Sequence, residues 1–381
     1  MTEDTDSPDA LDAFYAEQFP LAPIDDFMIH QTPDPIRVMW TSDPRAYERH
    51  WVVAHDDTGD LMIVTGGSFY PSLNTAEAYA IVNYQGQHYS VRALRPLGVD
   101  RMNMHMGPIK PTIVQGLRHW HFVLEPNEWG ISWDLHWFDT KRQIFHQYNV
   151  PSGSGYPLGR ASDLTAGFEG FGELEGWVEV KGKRIKVTRQ NFRGTRDRHW
   201  GTGRSVGGPN LQFGKVAAPG WIGGNWISFK DFAIWGKFVL YNFGDEKHKG
   251  MGKVIKAARR LKFDPDTHQF VEGIIDYTFQ TGEKKQVHFR RLGFQTGYMK
   301  CGMYGGTPDK NIFHGMDVGE MVEGDHYDVT KPDVRRALSG LNEHHCVITC
   351  GGETNTGILQ PVEPAAYELC KAGKSGWAFL D

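Results

Sequence analysis

Six consecutive residues, Arg196-Asp197-Arg198-His199-Trp200-Gly201, bring two guanidinium groups, a carboxylate, an imidazole and an indole into one short stretch. Side chains of these types bind anions, move protons and hold apolar rings. The stretch follows the strand-like run Arg184-Ile185-Lys186-Val187 and precedes Gly201-Thr202-Gly203, so it reads as extended backbone whose side chains alternate between faces. Arg196, Arg198 and Trp200 then share one face, and Asp197 and His199 the other.

Three further groupings carry ligand or proton-transfer chemistry. In Gly116-Leu117-Arg118-His119-Trp120-His121-Phe122-Val123-Leu124-Glu125, the residues His119, His121 and Glu125 have one parity and can line one strand face. An HxH-x3-Glu strand of this kind holds a divalent ion in cupins, although the leading Gly lies too close to the first His and a second-motif histidine is missing. In Ile131-Ser132-Trp133-Asp134-Leu135-His136-Trp137, Trp133 and Trp137 share a face with Leu135, while Asp134 and His136 share the other. There a carboxylate can orient an imidazole for proton transfer, or both can face solvent. His344-His345-Cys346 with Cys350 lacks the paired CxxC spacing of structural zinc sites. The chain has no G-x-x-x-x-G-K-[ST] loop, no H-E-x-x-H and no G-x-G-x-x-G in its Gly153 to Gly159 run, which argues against nucleotide hydrolysis and a dinucleotide cofactor.

These residues need a scaffold, and composition bounds it. With 381 residues, 40% hydrophobic and 23% charged, the chain is long enough for two globular domains. Its 12 Trp, 14 Tyr and 22 Phe supply large contact areas to cores and to pockets for apolar ligands. A net charge of -5 argues against general affinity for nucleic acid. The basic run over 247–262 reads as a solvated face. Cys301, Cys346, Cys350 and Cys370 without any N-x-[ST] acceptor, and an acidic start without an apolar h-region, predict a reducing, cytoplasmic setting. No stretch approaches the length of a transmembrane helix.

Strand-like runs dominate: 61–64, 79–82, 88–91, 119–124, 131–138, 177–180, 226–229, 233–243, 253–263, 272–280 and 286–291. Thr58-Gly59, Gln85-Gly86, Lys181-Gly182 and Thr281-Gly282 read as hairpin turns, because glycine supplies the positive φ that tight turns need. Helix is expected only at 9–19, 332–338 and 365–370. The Pro/Gly/Ser-rich stretch 151–159 reads as a linker. Many short strands joined by tight turns indicate sandwiches or barrels, and a barrel of about eight strands can enclose one small ligand. The expectation is all-β, with an acidic tail and short helix over 1–24 and two β-domains over 25–160 and 161–381.

Four passages, GISWDLHW (130–137), GWVEVKGKRIKV (176–187), GTRDRHWG (194–201) and Thr356-Gly357-Ile358-Leu359, resemble the carotenoid 1,2-hydratase and AttH-like group, whose members are built from two lipocalin-like antiparallel β-barrels. The specific element is the group's Asp-His-x-Trp-Gly motif. Arg198 stands where that motif has its His, and Trp200 matches its Trp. The resemblance implies a cofactor-independent lyase or isomerase, a hydratase, dehydratase or cyclase, acting on an apolar terpenoid, steroid or aromatic molecule. The expected catalytic residues are Arg198, His199, Asp197, Asp134 and His136, with Tyr241 a further acid or base candidate. Trp200, Trp226, Trp235, Tyr241 and Trp133 are expected to hold the substrate, and Trp221 adds to the same aromatic interval. Arg cannot serve as a general acid near neutral pH but can stabilise developing negative charge. No cofactor or metal is expected on this reading, the partner is a small molecule, and a homodimer is compatible with it. Two alternatives stay open: a non-catalytic carrier of lipophilic ligands, and a cupin-like metal enzyme using His119, His121 and Glu125.

Overall fold

Why the runs at 61–64 and 79–82 are apolar throughout, rather than alternating, is answered by the architecture: these strands are buried on both faces. In the computed structural model, residues 21, 23–30, 33–151, 161–203, 206–207, 223–243, 251–363 and 366–368 are described. A meander of β1 (Ala46–Asp56), β2 (Leu61–Tyr70), β3 (Thr75–Tyr84) and β4 (Gln87–Pro96) opens the fold. It is followed by β5 (Ile109–Gln115), β6 (His119–Leu124), β7 (Ile131–Asp139), β8 (Ile144–Pro151), the 20-residue β9 (Ala161–Val180), β10 (Lys183–Val187) and β11 (Phe192–Thr202). The second half contributes β12 (Gly223–Ser228), β13 (Phe232–Trp235), β14 (Phe238–Tyr241), β15 (Val254–Phe263), β16 (Phe270–Phe279), β17 (Lys284–Tyr298), β18 (Met321–Asp328), helix α1 (Pro332–Ala337), β19 (Asn342–Cys350) and β20 (Glu353–Pro361).

The all-β expectation holds, as two antiparallel sheets. The first has twelve strands in the order β18-β4-β3-β2-β1-β11-β9-β7-β6-β5, with β8 and β10 also paired to β9; the second has eight, β14-β13-β12-β20-β19-β17-β16-β15. Sheet membership changes after Thr202, not at residue 160, because β9 and β11 pair along their length inside the first sheet. The first sheet also takes β18 from beyond the start of the second.

Period-2 alternation sorts the strand residues into separate cores. Val52, Ala54, Leu61, Ile63, Ala78, Ala80 and Val91 point into the first sheet's own core with Trp120, Trp133 and Trp137. Their neighbours Trp51, Val53, Met62, Val64, Tyr79 and Ile81 point the other way, into a seam shared with Trp226, Tyr298 and Ile358 of the second sheet. The second sheet encloses Ile227, Phe270, Ile275, Tyr277, Val287 and Ile348. Two apolar layers plus the seam between them explain the aromatic wealth of the chain.

The hairpins form where expected. Gln85 and Gly86 take φ 50° and 80°, and Lys181 and Gly182 take 47° and 81°, the paired positive values of the tight turn that matches strand twist. The helix at 332–338 is present as α1, and 366–368 form a helical turn; the stretch 9–19 and residues 152–159 of the expected linker lie outside the described residues. In the basic run, Lys256, Arg260 and Lys262 are exposed on β15, with Arg260 paired to Asp276 and Lys262 to Glu272, whereas Arg259 is buried and donates to Asn225 at 2.6 Å. No helix among the described residues is long and apolar enough to cross a membrane.

The seam also buries several imidazoles. His55 and His345 stack with ring centroids 3.8 Å apart. Burial holds the pKa of His55 down to about 4, against the pull of its hydrogen bond to the Asp56 carbonyl, and puts His345 well below the usual range. Burial likewise lowers His50 and His88 to about 3. A histidine with a depressed folded pKa binds its proton first in the unfolded chain. The stability it contributes is therefore complete above pH ~6.5 and is lost as pH falls toward the folded value, at up to about 1.4 kcal/mol per pH unit per residue. The urea midpoint is expected to fall steeply between about pH 6.5 and 5, and His345→Phe to flatten that slope. A midpoint that stays constant over this range would count against neutral buried imidazoles.

Candidate active site in the seam between the sheets

The parity expected for 196–200 holds, and the two faces of β11 meet different surroundings. Arg196, Arg198 and Trp200 lie on the face of the first core. Arg196 is fully buried in a bidentate pair with Asp139, with contacts of 3.0, 3.0 and 2.6 Å. Arg198 donates to Glu48 Oε2 at 2.9 Å and to the Arg49 carbonyl at 3.1 Å, and Trp200 stands near Phe145 with centroids 6.2 Å apart.

Asp197 and His199 face the seam, where strand register gathers a titratable group around them. Gly167 of β9 lies directly between His146 of β8 and His199 of β11, and Glu169 lies between Ile144 and Asp197. Residues opposite one another in a sheet share a face, so His146, Glu169, Asp197 and His199 form one patch two rows deep. Gly167 makes it possible. A Cβ there would sit 2.3 Å from the His199 ring and 2.3 Å from the Arg198 carbonyl oxygen, so only glycine lets the imidazole lie across the strand.

The patch is buried and ordered by hydrogen bonds. His146, Glu169 and His199 side chains are 3%, 2% and 5% exposed. His199 Nδ1 is 3.0 Å from Asp197 Oδ2, and its Nε2 is 3.3 Å from Glu169 Oε1. His146 Nε2 is 3.5 Å from the same oxygen. Across the seam, Trp226 donates its indole N–H to Glu169 Oε2 at 2.9 Å, and Trp235 and Phe238 pack on the His146 ring at 4.5 and 5.6 Å. Glu343 of β19 completes the group. It is fully buried, and the Gln360 side-chain amide donates to its Oε1 at 2.6 Å. Burial pushes its carboxyl up to about 8; the Gln360 bond opposes this, and the charges of Asp197 and Glu169 add to it.

A cleft of about 420 Å³ opens beside this group, with Phe171, Thr195, Trp226, Phe229 and Ile358 among its walls and Lys141 and Arg193 at its polar side. Phe171 and Thr195 form the cross-strand pair one step before Glu169 and Asp197 on the same strand faces, a distance of about 7 Å. Trp226 belongs to both places, lining the cleft and donating its N–H to Glu169. The arrangement can donate a proton from Glu343, hold water or a hydroxyl against His146, Glu169 and His199, and cover an apolar body with indole faces.

The other expected site residues lie elsewhere. Asp134 and His136 do not form a pair: Asp134 accepts from His121 at 2.7 Å and His136 bonds His119 at 2.8 Å, because β6 and β7 place His121 opposite His136 on the outer face. Glu125 pairs with Lys110 at 2.5 Å rather than joining His119 and His121. Trp133 is part of the first core, and Tyr241 packs against the second. His344 is held by Glu363 and Thr296, each at 2.9 Å, and Cys346 is buried in the second core. Trp221 and Cys370 lie outside the described residues. Among the described residues, two groups bring three ligand-type atoms within 4.8 Å of one another: His146, Glu169 and His199 in the seam, and His121, Asp134 and His136 outside. Sequence reading missed His146, Glu169, Glu343 and Gln360. Glu343 stands next to the His344-His345-Cys346 cluster already singled out, and that neighbourhood was the available signal for the third of these.

Comparison with known proteins adds the following. The profile of a family of unknown function (DUF8625) matches residues 21–252. No curated protein matches. Among solved structures, a protein described as an AttH from Nitrosomonas europaea is similar at 12% identity, over 84% of this chain and 93% of that one, with a TM-score of 0.45. Kievitone hydratase from Nectria haematococca is similar at 11% identity, over 90% and 98% of the two chains, with a TM-score of 0.37. The matched profile spans more than half of the 381 residues, and the chain belongs to the family of unknown function DUF8625.

Proposed function

We propose that this protein is a hydro-lyase or isomerase that takes an apolar terpenoid, steroid or aromatic molecule into the seam between its sheets and transfers a proton to it from Glu343. The observation that carries the reading is Glu343, a fully buried carboxyl within electrostatic reach of Asp197 and Glu169, in a seam where Trp226 both holds Glu169 and belongs to the wall of a cleft. Its raised pKa keeps the proton available at neutral pH, as proton donation to a weakly basic carbon requires. In the hydration direction, the Glu343 proton goes to one alkene carbon. Water held near His146, Glu169 and His199 bonds to the other carbon and loses a proton to the polar wall, and Glu343 is reprotonated. Dehydration reverses these steps, and isomerisation returns a different proton without adding water. The indole faces of Trp226 and Trp235 suit a transient cation. Arg198, on the opposite face of β11 and engaged by Glu48, has no part in this step.

Incubation in D2O with a panel of terpenoid, steroid and aromatic alkenes and alcohols tests this directly. Wild-type protein is expected to place deuterium on carbon in at least one class, and Glu343→Gln to cut the rate by about 10²–10⁴. Glutamine keeps the shape, and since Glu343 is neutral at pH 7 the change removes no charge, so the fold should survive. If wild-type protein returns every compound unlabelled while binding it, the protein is a carrier and the reading fails.

A further inference from the structure

We propose that His146 Nε2, His199 Nε2 and Glu169 Oε1 together bind one divalent transition-metal ion, of the Zn²⁺ or Fe²⁺ class, in the seam between the sheets. The site is the one just assigned to water, so the inference deepens that reading, and it departs from the cofactor-free expectation drawn from the sequence. Spacing is the first argument. Glu169 Oε1 stands 3.3 Å from one imidazole nitrogen and 3.5 Å from the other. A charge-assisted hydrogen bond would close to about 2.7–2.9 Å. Ligands about 2.0–2.1 Å from a tetrahedral ion are separated from each other by about 3.3–3.4 Å, close to the two carboxylate–imidazole spacings, and the two imidazole nitrogens lie within 4.8 Å of each other.

Orientation is the second argument. Asp197 at Nδ1 of His199 fixes the ring proton there and turns the Nε2 lone pair toward Glu169. Trp226 takes the other Glu169 oxygen and so fixes the carboxylate plane. A histidine backed by a carboxylate and a ligating carboxylate held by a donor are the outer-shell supports that metal ligands need. Two imidazole nitrogens and a carboxylate suit borderline cations better than Ca²⁺ or Mg²⁺, and three protein ligands leave a position for water or a substrate oxygen. Gly167 is the structural permission for this convergence. The outer-face group of His121, Asp134 and His136 is more exposed, and its members are engaged by hydrogen bonds of 2.7 and 2.8 Å, so the buried set is the stronger candidate.

The test titrates metal-stripped full-length protein with Co²⁺, followed by visible absorption, and with Zn²⁺, followed by calorimetry. One ion per chain and the intense spectrum of four-coordinate Co²⁺ are expected. His146→Ala and His199→Ala should lose both signals. Asp197→Asn, a near-isosteric positioning change that guards against loss of fold in the alanine variants, should weaken binding about 10–100-fold. The double variant His121→Ala/His136→Ala should bind as wild type, and so should Glu343→Gln. Absence of binding, or binding lost only in the outer-face double variant, overturns the inference. Deuterium transfer by stripped protein that binds no metal would sink the metal and leave the acid role of Glu343 standing. Metal binding without any labelled product would do the reverse.

Discussion

Replacing Asp139 by alanine is expected to destabilise the protein by about 3–5 kcal/mol, read as a fall in the urea midpoint at unchanged slope, because it strands a guanidinium inside the first core. Arg196 is fully buried, and both Asp139 oxygens are committed to it. Burial pushes the Asp139 carboxyl up even against the attraction of Arg196, so the pair sits where an uncompensated charge is costly. Gly170 marks the tightness of the arrangement, since a Cβ there would lie 2.6 Å from Asp139 Oδ1. The double variant Asp139→Leu/Arg196→Met, which removes both charges and restores apolar volume, should recover most of the loss. If the single variant costs less than about 1 kcal/mol, water must reach Arg196 and the core is not dry there.

The second large effect belongs to Gly167. Gly167→Ala is expected to abolish proton transfer, by about 10²-fold or more, and to cost about 1–3 kcal/mol of stability through overpacking. The new methyl must displace the His199 ring or the Arg198 carbonyl, and either movement pulls the imidazole off Glu169. Gly116→Ala is the control, since a Cβ at that position meets nothing within 4 Å, and it should change neither quantity. Wild-type rates in Gly167→Ala would show that the His146, Glu169 and His199 group has no part in the reaction.

What could be read from the chain followed the range of the forces involved. Turns such as Gln85-Gly86 and Lys181-Gly182 are decided by two residues, and the parity of Arg196 to Trp200 by the pleat of one strand, so both were legible. Partners across strands were not. Asp134 and His136 looked like a pair because they are two residues apart, yet each found its imidazole on β6, through a register that no local pattern encodes. The site itself depends on His146, Glu169 and Glu343, spread over nearly 200 residues and brought together by the pairing of β8 and β11 on either side of β9 and by the packing of the second sheet. Two features hid them. His146 lies beside the Pro- and Gly-rich stretch read as a linker, and the glycines that make room for the imidazoles lower the apparent strand signal of β9.

The placement of β18 also orders events at the ribosome. The outer edge of β4 pairs with residues 321–328, which are synthesised after most of the second sheet. Until they emerge, a ten-residue, largely buried strand has an unpaired rim, the kind of surface that recruits neighbouring nascent chains. A gene cut at residue 160 or at 203 would leave that rim bare, because the first sheet takes its edge strand from beyond both points.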